Sequence, residues 1–287
     1  MDDLTYTLRV LCQRNRDGGH TTQADRRRTL TLISRQLKAA GFRRMTAGSL
    51  KSKHVDALLN RWLAEGLQAG TIKNRMAALR WWAEKIGRAG IIPADNDQLG
   101  IPRRVLVTNE NKARRLDNNL ERVTDPHVRM SLQLQQQFGL RRKECIKFQP
   151  RYADRGDHIA LKASWTKGGR PRIVLITSAE QRAVLDAAHR FVGAGSLIPA
   201  HKTFIQQRDT YDDQCKAAKL RKMHGLRHLY AQTRYEVLTG CKAPAAGGPV
   251  AAMLTESQRA QDIIARQLIS RELGHERLSI TAIYLGR

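Results

Sequence analysis

Apolar residues recur at three- and four-residue spacing along most of this chain, and that period leaves packed helices as its principal way to bury them. Residues 2–15, 23–40, 51–65 and 71–88 each carry such a stripe. In the second stretch Leu30, Ile33, Leu37 and Ala40 share a face, and Gly41 follows as a stop. In the fourth, Ile72, Met76, Leu79 and Trp82 form the stripe and Thr71 is placed to cap the helix. Lys73, Arg75 and Arg80 lie off that stripe and are the candidates for contact with a polyanion in this half. Trp62, Trp81 and Trp82 are assigned to the core rather than to base stacking, because aromatic rings dominate helical cores. Further helices are expected near 115–122, 126–139, 141–148, 178–192, 203–219, 225–239, 255–273 and 278–284.

One short region breaks the period. HIALKASW (158–165) and RIVLIT (172–177) alternate or run apolar and β-branched, with TKGGRP between them. That is the signal of a β-hairpin, its turn set by Gly168–Gly169. Residues 91–112 are weakly periodic and punctuated by Pro93, Gly100 and Pro102, so they read as an interdomain linker. The stretch 240–250, GCKAPAAGGPV, is a loop. The fold class is therefore mainly α with a small β-sheet, in two domains, 1–90 and 113–287.

Charge narrows the partner. The 51 Lys and Arg against 26 Asp and Glu leave a formal net charge of +25. Residues 1–110 hold 20 basic and 10 acidic side chains, and residues 111–287 hold 31 and 16, so both halves are basic. Such an excess repels itself in a compact state and does nothing for the fold; neutralisation by nucleic acid accounts for it. The four cysteines, Cys12, Cys145, Cys215 and Cys241, are far apart and form no CxxC, which argues against a zinc site and a disulfide framework. The start, MDDLTYTLRV, lacks the basic and apolar regions of a signal peptide, and no apolar run approaches the roughly 20 residues of a membrane span. The expected location is the cytoplasm, away from any membrane.

Five pieces then stand out in chain order: GLRRKE at 139–144, TKGGRPR at 166–172, HGLRH at 224–228, LGHE at 273–276, and Tyr284 near the C-terminus. Exchanging DNA strands calls for a nucleophile on phosphorus, cationic donors for the equatorial oxygens and an acid for the departing oxygen. Arginine suits the clamp because its planar fork gives permanently charged bidentate bonds to phosphate. A tyrosine nucleophile would store the bond energy in a phosphotyrosine link, so no ATP is needed. His224 and Arg227, like Arg141 and Glu144, are three apart and share a face if helical.

Taken together these pieces resemble the tyrosine recombinase (phage integrase) family. The resemblance spans the second half of the chain and, more weakly, the helical first half. It rests on an Arg after Gly-Leu, a Lys on a hairpin, His-x-x-Arg, a His after Leu-Gly, and a Tyr nine residues beyond that His. It implies an N-terminal helical core-binding (SAM-like) domain and an α+β catalytic domain closing as a C-shaped clamp on duplex DNA. Arg141 and Arg227 match the two clamping arginines, with Arg142 an adjacent competitor for the first. Lys167 matches the hairpin lysine that serves as general acid. His224 matches the histidine of the His-x-x-Arg box, His275 the later phosphate-contacting position, and Tyr284 the nucleophile of a 3′-phosphotyrosine intermediate. Glu144 fits an acidic position that orients a catalytic side chain. The resemblance also implies no metal or other cofactor, since arginines supply the charge that Mg²⁺ supplies elsewhere. Its partners would be double-stranded DNA carrying a specific site and three further copies of the chain, four protomers on two sites.

Two departures from the family pattern are visible. Residues 240–262 lengthen the path between Arg227 and His275, at modest entropic cost. Three residues follow Tyr284, where many relatives continue into a helix that docks on a neighbouring subunit. Two other functions use the same parts: a type IB topoisomerase relaxing supercoils, and a catalytically inactive DNA-binding protein on a recombinase fold. The filled catalytic positions favour the recombinase, acting in integration or excision of a mobile element.

Overall fold

The computed structural model describes residues 2–275 and 277–287, apart from the Asn118 side chain; Glu276, which closes the LGHE motif, lies outside them. The chain divides into two compact units, Met1–Val105 and Leu106–Arg287.

The first unit is four helices, α1 (Asp3–Arg14), α2 (His20–Ala39), α3 (Ser52–Ala64) and α4 (Ala69–Lys85). Their apolar stripes meet in one core, where Leu30, Ile33, Leu37, Leu58, Trp62, Met76, Leu79 and Trp82 are almost wholly buried. The indole N–H groups are satisfied inside: Trp62 donates to Gln36 Oε1 at 2.9 Å and Trp82 to the Ala47 carbonyl at 2.7 Å. Thr71 does not cap α4. The helix starts two residues earlier, with Gln68 at the cap and no side-chain bond there, because the Thr71 and Ile72 amides already bond the Gln68 carbonyl. Part of the expected linker, 91–112, belongs to this core as well: Ile92 and Ile101 are buried in it. Their apolar side chains gain more from the core than from an extended tether.

The second unit contains α5 (Pro126–Phe138), α6 (Arg142–Ile146), α7 (Pro150–Ala153), β1 (His158–Leu161), β2 (Arg172–Leu175), α8 (Ala179–Val192), α9 (Phe204–Ala217), α10 (Gly225–Thr239), α11 (Glu256–Leu273) and α12 (Leu278–Leu285). Local chemistry sets most starts. Asp125, Ser178, Thr203 and Thr255 each accept from a backbone N–H three residues on, and Thr203–Gln206 and Thr255–Gln258 form capping boxes. Helix α10 packs against α5, α11 and α12, which brings its N-terminus beside α12. The core includes Leu132, Phe138, Leu140, Ile146, Phe148, Leu226, Tyr230, Ile269 and Leu273.

Two expectations are corrected here. The stretch 115–122 forms only a 3₁₀ helix, Asn118–Arg122, started by Asp117 accepting from the Asn119 amide. The hairpin is real but does not turn tightly at Gly168–Gly169. The antiparallel register pairs Leu161 with Arg172, so residues 162–171 form a long loop. Trp165 is the physical reason: it leaves the strand and buries itself against Phe148 and Tyr152, with ring centroids 6.0 and 5.7 Å away.

Candidate active site

Where α10 begins, His224 occupies the cap position and Arg227 the first turn, so both side chains leave the same end of the helix. Across from them α12 presents Tyr284, buried, with its hydroxyl 3.0 Å from His224 Nε2. Two imidazoles flank the phenol ring. His275 stacks on it with centroids 5.1 Å apart and His228 lies 4.4 Å away at an interplanar angle of 32°. Arg227 is fully buried beneath, its Cζ 5.8 Å from the Tyr284 ring. Its Nη1 donates to the Gly139 carbonyl, its Nη2 donates to the Leu273 carbonyl, and Nη2 lies 3.5 Å from His275 Nε2.

The partner for Arg227 depends on Gly139. That residue ends α5 in the left-handed region at φ 58°, and a Cβ there would sit 2.5 Å from Tyr230 Cδ1. Only glycine fits this turn, which aims its carbonyl at the buried guanidinium.

Arg141 stands at the cap of α6 and forms a closed box with Glu144. Its amide donates to Glu144 Oε2 at 2.7 Å and its Nη1 to Oε1 at 2.9 Å. Its Nη2 makes longer contacts to the carbonyls of Leu273 (3.2 Å) and Gly274 (3.4 Å). Arg142 points elsewhere and pairs with Asp212 on α9 at 2.5 Å. Glu144 is completely buried. Burial alone would raise its pKa, but the Arg172 hydrogen bonds, the Arg172 and Arg227 charges and the Arg141 amide outweigh that and hold it at about 2.

The imidazoles are shifted the other way. Burial, then Arg227 and Arg141, lowers His224 and brings His275 to about 3. Burial, then His224, Lys112 and Arg227, brings His228 to about 4. All three are therefore neutral near pH 7. His275 Nδ1 lies 3.0 Å from Thr281 Oγ1, which fixes the ring. Lys167 is exposed in the hairpin loop, next to Gly168 and Gly169, both at positive φ, and its ammonium makes none of the cluster's hydrogen bonds.

The structure thus gathers Arg141, Glu144, His224, Arg227, His275 and Tyr284, and leaves Lys167 on an adjoining loop. It adds Arg172 and His228, which sequence reasoning passed over. His228 follows His224 by four residues, a spacing that already places both on one helical face. Arg172 lies inside the TKGGRPR motif but had no visible partner there. Among the described residues no group of three or more His, Cys, Asp or Glu could hold a metal ion together. In the first unit the α4 candidates have neighbours within their own unit. Arg80 spends its guanidinium on the Pro93 carbonyl and Asn96 Oδ1, and Arg75 lies 5.3 Å over the Trp62 ring. Both tie down their own unit, and Lys73 is half-buried. Four exposed cations, Arg9, Arg27, Arg28 and Arg35, line a groove of about 670 Å³ between α1 and α2. The run Arg26–Arg27–Arg28 was the available signal.

Guanidinium, imidazole and phenol groups converging at one helix end are the equipment of an enzyme that acts on phosphate esters. The model described as "Phage integrase, N-terminal" matches residues 1–92, and the model described as "Integrase" matches residues 103–233. The chain belongs to the tyrosine recombinase (phage integrase) family. No curated protein matches it in sequence. Among solved structures, it is similar to a lambda integrase (75–356) dimer bound to a COC′ core site, at 14% identity and a TM-score of 0.64 over 99% of this chain and 96% of that one. It is similar to a lambda integrase tetramer bound to a Holliday junction, at 14% identity and 0.61 over 98% and 78%. The Tn1549 transposon integrase in complex with circular intermediate DNA gives 14% and 0.55 over 100% and 96%. Among the described residues no helix is long and apolar enough to cross a membrane.

Proposed function

We propose that this chain is a site-specific DNA recombinase that cuts and rejoins strands through Tyr284, serving integration or excision of a mobile element. The observation that carries the reading is the contact between the Tyr284 hydroxyl and His224 Nε2 at 3.0 Å, directly over the buried Arg227. A neutral imidazole at that distance can accept the phenol proton as the oxygen attacks phosphorus. The P–O5′ bond breaks, the 3′ phosphate stays on Tyr284, and the Lys167 ammonium protonates the leaving 5′ oxygen. Arg141, Arg227 and His275 hold the non-bridging oxygens.

Charge balance supports this. Arg141, Arg172 and Arg227 carry three positive charges against one on Glu144, with the imidazoles neutral. The surplus of two exceeds the single charge of a phosphodiester, so it favours the additional negative charge that develops at phosphorus. Interactions stronger in the transition state are the ones that accelerate the step. Double-stranded DNA carrying a specific site is the partner, with four copies of the chain on two sites and the cytoplasm as the location. The solved relatives on DNA, one of them a tetramer on a Holliday junction, support that reading.

The test uses a nicked duplex spanning an end of the genetic element that encodes the chain. Wild type should trap a 3′-linked covalent complex, and Tyr284→Phe should bind the duplex and trap none. A covalent complex from the phenylalanine variant would assign the nucleophile elsewhere. No complex from wild type on duplex that it binds tightly would leave an inactive DNA-binding protein.

A further inference from the structure

Arg172 carries more than a hairpin's ordinary share of bonds. Its side chain is nearly buried, and its fork is bidentate: Nη1 donates to Glu144 Oε1 and Nη2 to Glu144 Oε2, both at 2.7 Å. Its Nε donates to the Glu272 carbonyl at 2.8 Å, in the last turn of α11, where carbonyls lack helical partners and the helix end is negative. The fold makes room for it. Gly274 ends α11 at φ 63°, and a Cβ there would fall 2.9 Å from Arg172 Cδ.

The consequence lies in how Glu144 is shared. Its two oxygens accept four bonds, two from the Arg172 fork, one from the Arg141 amide and one from Arg141 Nη1. That fills the lone-pair sites of a carboxylate. Arg141 therefore reaches Glu144 with a single guanidinium nitrogen, and its Nη2 is left with only the long contacts to Leu273 and Gly274. Without the Arg172 fork, Glu144 could turn and pair with Arg141 face to face, which would neutralise that guanidinium and withdraw it from a phosphate.

We infer that Arg172 is a positioning residue of the phosphate clamp: by claiming both oxygens of Glu144, it keeps Arg141 available to the scissile phosphate. The inference rests on the recombinase reading above and adds a residue to that site. It does not place Arg172 on the substrate.

The experiment compares the full-length wild type, Arg172→Lys and Arg172→Ala on three versions of the nicked element-end duplex. One has the ordinary scissile phosphodiester. One has a methylphosphonate there, which removes the charge the clamp must neutralise. One has a 5′-bridging sulfur, whose thiolate leaves without an acid. Arg172→Lys keeps the charge and loses the fork, so it decides the matter even if Arg172→Ala fails to fold. The expected result is a loss of about 100-fold in covalent-complex formation by Arg172→Lys on the phosphodiester, the scale of a misplaced catalytic group. The methylphosphonate should restore most of that loss and the 5′-bridging sulfur should not. Equal losses on phosphodiester and methylphosphonate would reduce Arg172 to a structural ion pair. Recovery on the sulfur duplex alone would tie it to the Lys167 acid instead, and no loss on any duplex would also overturn the inference. A wild type that forms no complex removes the parent reading and this one with it.

Discussion

His228 and His275 hold the Tyr284 ring between them as neutral imidazoles, and their neutrality is a statement about stability as well as chemistry. Burial and neighbouring cations put their folded pKa values near 4 and 3, below the ordinary 6.5. Below pH 6.5 the unfolded chain takes up these protons while the folded chain does not, so stability falls with pH from 6.5 down toward 4 and 3. At pH 5 each histidine contributes a loss on the order of 2 kcal/mol relative to pH 7.5. Glu144 adds to it lower down: with a folded pKa of about 2 against 4.5, its stabilisation is present above 4.5 and disappears as pH falls toward 2. Thermal melting of wild type should therefore drop between pH 7.5 and 5, and a double His228→Phe, His275→Phe variant should drop distinctly less. Parallel pH curves for the two proteins would show that these rings titrate normally. At this scale the sequence displayed the residue types and their order. The Gly-Leu-Arg register favoured Arg141 over Arg142, but it could not show what occupies Arg142, which is Asp212, 70 residues away on α9.

Elements decide the site through their ends. Helix α11 finishes at Leu273, and the carbonyls of Glu272, Leu273 and Gly274 accept from Arg172, Arg227 and Arg141. Helix α5 finishes at Gly139, whose carbonyl accepts from Arg227. Unpaired carbonyls at two helix C-termini thus aim the guanidinium groups. Gly139→Ala tests this directly. The added methyl meets Tyr230 in a left-handed turn, so the second unit should lose about 2 kcal/mol or more, read from the urea midpoint. An unchanged midpoint would mean that the turn can relax without cost. Both ends were legible, since the stretches 126–139 and 255–273 expected to be helical stop at these places. The long hairpin loop was not, because the burial of Trp165 against Phe148 and Tyr152 overrides the local turn preference of Gly168–Gly169.

Over the whole molecule the dominant quantity is the net charge of +25, shared by both units. Cations that contact phosphates release counterions, so affinity for the element-end duplex should fall steeply with salt. With six to ten phosphate contacts the loss is about 10³- to 10⁵-fold between 50 and 200 mM salt. Anisotropy titrations across that range would measure the slope, and a nearly flat response would argue that the excess charge does not face DNA. Arg80 shows why counting cations overstates the interface: its guanidinium is occupied by Pro93 and Asn96 of its own unit.

By itself the sequence determined most of the helices, the existence of a hairpin and the ordered chemical set, because periodicity is written within a few residues along the chain. The tertiary structure alone decided that Arg172 and Glu144 pair, that Ile92 and Ile101 join the first core, and that His224 meets Tyr284 across 60 residues. Those contacts are fixed by how helix ends and loops pack in space, and no local pattern records them.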